Sequence, residues 1–179
     1  AEVAKELDAY RTTYRQVNGT EAPAPISAGW TFCDPSAERA EELARRYIGG
    51  YYQTVLEHYR FDTPHLATTK GYEYYGKMAE KIATYGTDKV IDFFLNLQVW
   101  GTPEQCYEKI VDVRARVGNE TLVGVFSYAG MPYDEAERNM RLFAKEVMPA
   151  LKRVGREPVA GQVAPRRAGA ELDVGLLGS

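Results

Sequence analysis

Apolar residues change rhythm several times along this chain. From 1 to 17, Val3, Leu7, Tyr10, Tyr14 and Val17 return at spacings of three or four, which predicts a helix with one buried face, stopped at Asn18-Gly19. After the proline-rich stretch 21–25, the run from Ile26 to Cys33 predicts a short strand. Asp34 and Pro35 predict the cap and first position of a long helix running towards Tyr59. Its apolar stripe is Ala40, Leu43, Tyr47 and Tyr51, and Gly49-Gly50 weakens its middle.

The stretch from Phe61 to Ile91 reads as irregular, broken at Thr63-Pro64 and carrying a short helix at Tyr72 to Tyr85. The near-continuous apolar run Asp92 to Val99 predicts a strand buried on both faces. It leads into Trp100-Gly101-Thr102-Pro103-Glu104, where Thr102 can cap a helix, Pro103 sits where its missing N–H costs nothing, and Gln105 completes a capping box. The helix from Gln105 to Val117 buries Cys106, Ile110, Val113 and Val117 and ends at Gly118. A second unit follows: Thr121 to Tyr128 as strand, Ala129 to Pro132 as turn, Tyr133 to Leu151 as helix. That last helix buries Ala136, Met140, Phe143, Val147 and Leu151, with Pro149 disturbing its end. Strand–helix units in tandem predict an α/β fold, the closing segment of a (β/α)8 TIM barrel with about three parallel strands and flanking helices. Residues 1–153 form this partial barrel. Residues 154–179, rich in Gly and Pro without periodicity, read as a flexible tail, with a strand at Leu172 to Leu177 as the alternative.

Composition narrows the function classes. The 179 residues carry a formal net charge of -3 and a pI near 5.5, and no basic patch invites nucleic acid. No apolar run approaches the roughly 20 residues a membrane helix needs, and no secretory signal opens the chain. Cys33 and Cys106 read as reduced structural thiols of a cytoplasmic protein. His58 and His65 have no partner at metal-ligand spacing. The start at Ala1, inside a helical pattern, suggests a piece of a longer chain.

Trp100 to Gln105, together with Arg141-Leu142-Phe143-Ala144-Lys145-Glu146-Val147-Met148-Pro149-Ala150-Leu151, resembles the C-terminal half of luciferase-like flavin-dependent monooxygenases. Phe32 to Ala40 fits that family's sixth strand and helix. The resemblance implies a barrel using reduced FMN, or in some branches F420. It also implies O2 and a small organic substrate, a flavin reductase as a possible partner, and a homo-oligomer for the full-length protein. It further implies that strands one to five, with most flavin contacts and any catalytic histidine, lie outside this chain.

Barrel enzymes place their sites at the C-terminal ends of strands. The candidate cofactor-binding residues are therefore Trp100, Thr102, Ser127 and Tyr128, with Phe32 facing substrate. Each has a structural alternative: packed aromatics, a helix cap, a polar end to a strand. Lys70, Tyr72 and His65 fall in the long excursion that resembles the family's lid, where a cation and aromatic rings could cover an anionic flavin; the alternative is a tyrosine-rich packing patch. No catalytic residue is assigned. The competing function is a non-catalytic, shortened binding or assembly protein of the same family.

Overall fold

A computed structural model describes residues 2–154. The elements run α1 (Glu2–Asn18), β1 (Ile26–Cys33), α2 (Ala37–Ala44), a π-helical turn (Arg45–Gly49), α3 (Gly50–His58), a 3₁₀ helix (Pro64–Thr68), α4 (Glu73–Tyr85), α5 (Thr87–Leu97), β2 (Val99–Gly101), α6 (Pro103–Val117), β3 (Thr121–Val125), α7 (Tyr133–Leu142), a second π-helical turn (Phe143–Val147) and α8 (Met148–Leu151). Three parallel strands with flanking helices match the expected architecture. Of the expected tail, all but Val154 lies outside the described residues.

The strand order is β2-β1-β3, so β1 is central. Consecutive barrel strands would instead put β2 in the middle. β1 has edge to spare for both neighbours. Its residues Thr31 to Cys33 pair with Val99 to Gly101, and Ile26 to Trp30 pair with Thr121 to Val125. β2 is three residues long and offers β3 a much shorter ladder. Reversing direction across β1 also sends the two connections to opposite faces of the sheet, because parallel crossovers are right-handed. The cores show this. Phe32, Trp30 and Trp100 pack with Leu43, Tyr47, Ile48 and Leu95 on one face, whereas Cys33 and Val99 pack with Cys106, Ile110, Phe143 and Val147 on the other. Both faces are covered by helices, where a bare barrel arc would leave its inner face open.

Several expectations change. Asp92 to Leu97 is helix, not strand. A short apolar run does not choose between a buried strand and a buried helix, and here Val90, Ile91, Phe94 and Leu95 fall on one helical face. The strand after Thr121 ends at Val125, three residues early. The cap of α2 is Ser36, whose hydroxyl accepts the Arg39 N–H, and Asp34 is freed for other partners. The stripe of α1 is not buried: Val3, Tyr10 and Val17 are 58%, 47% and 75% exposed. That helix is held instead by Arg11, whose guanidinium donates to Val117 O (2.9 Å) at the C-terminal end of α6, where the helix dipole favours a cation. In α7 Ala136 is buried as expected, but the second buried position is Asn139, while Met140 is 44% exposed.

The excursion between α3 and β2 is folded throughout. Leu56, Phe61, Leu66 and Val90 form their own apolar cluster, with Met78 and Ile82 packed against it. Gly76 of α4 lets the 3₁₀ helix come close: a Cβ there would sit 2.5 Å from Ala67 Cα.

Candidate active site

The C-terminal ends of the strands gather three turns, after Cys33, Gly101 and Val125. The Gly101 turn is built almost entirely by local chemistry. Gly101 has φ +135°, and a Cβ there would meet Gln105 Oε1 at 2.5 Å. Only glycine suits both the angle and the approach. That approach lets Gln105 Oε1 accept the Thr102 N–H (2.8 Å) while Thr102 Oγ1 accepts the Gln105 N–H (3.3 Å), a complete capping box. Replacing Gly101 with alanine pushes the Gln105 side chain off the Thr102 N–H and strains the turn. We expect a loss of about 2 kcal/mol, read as a lowered thermal midpoint by circular dichroism.

Trp100 is half-buried and in register with Phe32, and its indole N–H donates to Leu95 O (2.9 Å). Beside it opens a cleft of about 220 Å³ lined by Glu41, Arg45, Asp92, Leu95 and Asn96. Arg45 and Asp92 form an ion pair there (2.5 Å). A wider groove of about 770 Å³ lies between α6, β3 and α7–α8, and none of the predicted site residues lines it.

Asp34 closes the β1 end. Its N–H donates to Gly101 O (3.0 Å), and its carboxylate accepts the Ser36 N–H (2.8 Å) and Arg138 Nη2 (2.6 Å) and pairs with Arg39. Glu135 accepts from Arg39 (2.5 Å) and also pairs with Arg138, which ties β1, α2 and α7 together. Burial pushes the Asp34 carboxyl up, but the Ser36 N–H and the two guanidiniums outweigh it and hold it below its ordinary value. For Glu135, too, burial is outweighed by Arg39 and Arg138, and its carboxyl is held low.

Two amide side chains splice the edges of β1, and sequence reasoning passed over both. Asn139, fully buried, donates to Thr31 O (2.9 Å) and accepts the Cys33 N–H (2.8 Å), extending the β3 edge by a side chain. Gln98 Oε1 accepts the Trp30 N–H (3.2 Å) on the β2 edge. Polar residues in amphipathic patterns are assigned outward, so neither gave a signal. The Asp34–Arg39–Glu135–Arg138 ring had a partial one, since Glu135 and Arg138 are one helical turn apart.

The predicted site residues fall into three groups. Trp100, Thr102 and Phe32 lie together at the β1–β2 end, but Phe32 is 0% exposed, within the core. Tyr128 is buried and its hydroxyl donates to Thr31 O (3.1 Å); burial pushes that phenol up, so it stays a donor. Ser127 beside it is exposed. His65, Lys70 and Tyr72 share the excursion and all are exposed, with His65 Nδ1 held to Thr63 Oγ1 (2.7 Å).

A family model described as luciferase-like monooxygenase matches residues 1–120, which include β1, β2, α6 and the whole Trp100 turn. The chain belongs to the luciferase-like monooxygenase family. The comparison with curated proteins gives no match. Among solved structures, the chain is similar to the monooxygenase RslO1 from Streptomyces bottropensis, at 20% identity and a TM-score of 0.50, over 83% of this chain and 37% of that one. This likeness concerns the fold, and the chain spans little more than a third of that relative's length. Among the described residues, no helix is long and apolar enough to cross a membrane.

The donor set bears on a flavin in this luciferase-like chain. Trp100 and the cleft beside it offer a flat aromatic wall, and Ser127 a free-standing hydroxyl. The N-terminus of α6 is a poor phosphate cradle: the Thr102, Gln105 and Cys106 N–H groups are bonded within the turn, and Glu104 adds negative charge. Of these, Trp100 alone borders the cleft, as an aromatic face against which a flavin ring could lie.

Proposed function

We propose that this chain contributes to a flavin-dependent monooxygenase, in which reduced FMN activates O2 for oxidation of a small organic substrate; F420, a hydride carrier, is the alternative cofactor. The membership of residues 1–120 in the luciferase-like monooxygenase family carries the reading. The flavin when bound supplies the redox chemistry. The residues of this chain supply shape: Trp100 stands at the strand ends as an aromatic wall, anchored through Leu95 O, and the capped Gly101 turn keeps it in place. In this reading Lys70 and Tyr72, exposed on the excursion, are the cation and the ring that meet the anionic side of a flavin and shed water from it. Further strands, a flavin reductase, a cytoplasmic setting and self-association belong to the same proposal.

The second reading, a non-catalytic binding protein, has one observation behind it. The hydroxyls of Thr102 and Tyr128 and the indole N–H of Trp100 are already engaged within the chain. Anaerobic titration of the full-length protein with reduced FMN, and in parallel with reduced F420, followed by tryptophan fluorescence, separates the two; the isolated chain is expected to be inactive. Saturable quenching that Trp100→Leu abolishes, followed by reoxidation in air at a rate distinct from that of free reduced FMN, is the expected result. Quenching with reoxidation no different from that of free reduced FMN favours the binding protein, and no saturable response to either cofactor removes the flavin reading.

A further inference from the structure

Cys33 closes β1 and Cys106 lies in the first turns of α6, far apart in sequence. The fold brings them together. Both side chains are 0% exposed and share one apolar cluster with Val99, Ile110, Phe143 and Val147. Cys33 is in register with Gly101, and Cys106 Sγ lies 3.7 Å from both Gly101 O and Phe32 O, the carbonyl immediately preceding Cys33. The two cysteines are thus packed in the same buried cluster, Cys106 lying against the backbone just before Cys33. Neither takes part in the site described above. We propose that Cys33 and Cys106 are a disulfide-forming pair that hydrogen peroxide oxidises, locking the end of β1 to the start of α6.

The pair has a direction. Hydrogen bonding to Cys33, together with burial, drives the Cys106 thiol far above its ordinary value, whereas the bond from Cys106 lowers Cys33. Cys33 is therefore the more acidic of the two thiols and the nucleophile, giving up its proton as it attacks. Its sulfur attacks one oxygen of hydrogen peroxide. An S–O bond forms, the O–O bond breaks, and the departing hydroxide takes the Cys33 proton and leaves as water. Cys106 sulfur then attacks the sulfenic acid. An S–S bond forms, the S–O bond breaks, and the hydroxide leaves as a second water with the Cys106 proton. The thiols lose two electrons and two protons in all, and the peroxide is reduced to two waters. Burial makes the first step depend on a local opening of the first turn of α6. The neighbouring thiol makes the second step intramolecular and fast. The lock lies directly beneath the Gly101–Thr102 turn.

The folded chain is exposed to hydrogen peroxide, quenched, denatured and titrated with a thiol reagent, with intact mass in parallel. We expect loss of both thiols, a mass lower by two hydrogens, a peptide joining Cys33 to Cys106, a raised thermal midpoint and full reversal by dithiothreitol. In Cys106→Ala, dimedone should label Cys33; in Cys33→Ala, Cys106 should stay unlabelled. Retention of both thiols by the folded wild-type chain, or cross-links only between chains, overturns the proposal. Equal dimedone labelling of the two variants overturns the assigned direction.

Discussion

Asn139→Leu is expected to destabilise the fold by about 3 kcal/mol, although it exchanges a polar side chain for an apolar one of similar size. The amide occupies β1's edge where the pairing with β3 stops, bonding Thr31 O and Cys33 N–H at once. Leucine would leave the Cys33 N–H orphaned in a dry cluster, and Thr31 O would keep only the Tyr128 hydroxyl. The cost is the desolvation of groups that cannot reach water. Urea denaturation followed by circular dichroism measures it. Met140→Leu, one residue along and 44% exposed, is the control and should change stability by less than about 0.5 kcal/mol. If the two variants behaved alike, Asn139 would not be holding the β1 edge.

Asp34→Ala is expected to cost about 2 kcal/mol at neutral pH. The figure is below the 3–5 typical of a broken buried pair, because Arg39 and Arg138 remain about 40% exposed and can rehydrate. Its pH dependence has a definite sign. The folded-state values of Asp34 and Glu135 are both depressed, so the unfolded chain binds more protons in the acid range. Their contribution is complete above the unfolded carboxylate values, about 4, and is lost as pH falls through the depressed folded values. Thermal midpoints recorded from neutral pH into that window should fall more steeply for the wild-type chain than for Asp34→Asn. Glu135 keeps some slope in the variant. Parallel curves would mean that Asp34 titrates as it does in the unfolded chain.

Much of this was legible without coordinates. β1 has the bounds that its apolar run implies, and the Gly101–Gln105 turn has the cap, the proline and the capping box that its residue types demand. Gly118 ends α6 in the left-handed conformation, and α4 falls within a residue of its expected span. These features depend on neighbours a few residues away, so local chemistry decides them. The run 92–97 failed for the opposite reason. Phe93, Phe94 and Leu95 satisfy a buried strand and a buried helix equally, and only the room beside β1 selects between them.

The candidate site divides along the same line. Sequence placed Trp100 and Thr102 at a strand end because a capped turn there is a local event. It did not show that Phe32 would be sealed in the core or that the Tyr128 hydroxyl would be spent on Thr31 O, since both depend on which strand lies beside β1.

By itself, then, the sequence determined the parallel α/β alternation, most of the helix ends and the family, all of which rest on short-range spacing and residue type. Tertiary structure alone decided that β1 is central, that Asn139 and Gln98 complete its edges, that Asp34 binds two arginines and that two distant cysteines meet. Each of these joins residues far apart in the chain. They hold because buried donors, acceptors and charges must find partners wherever the packing brings them.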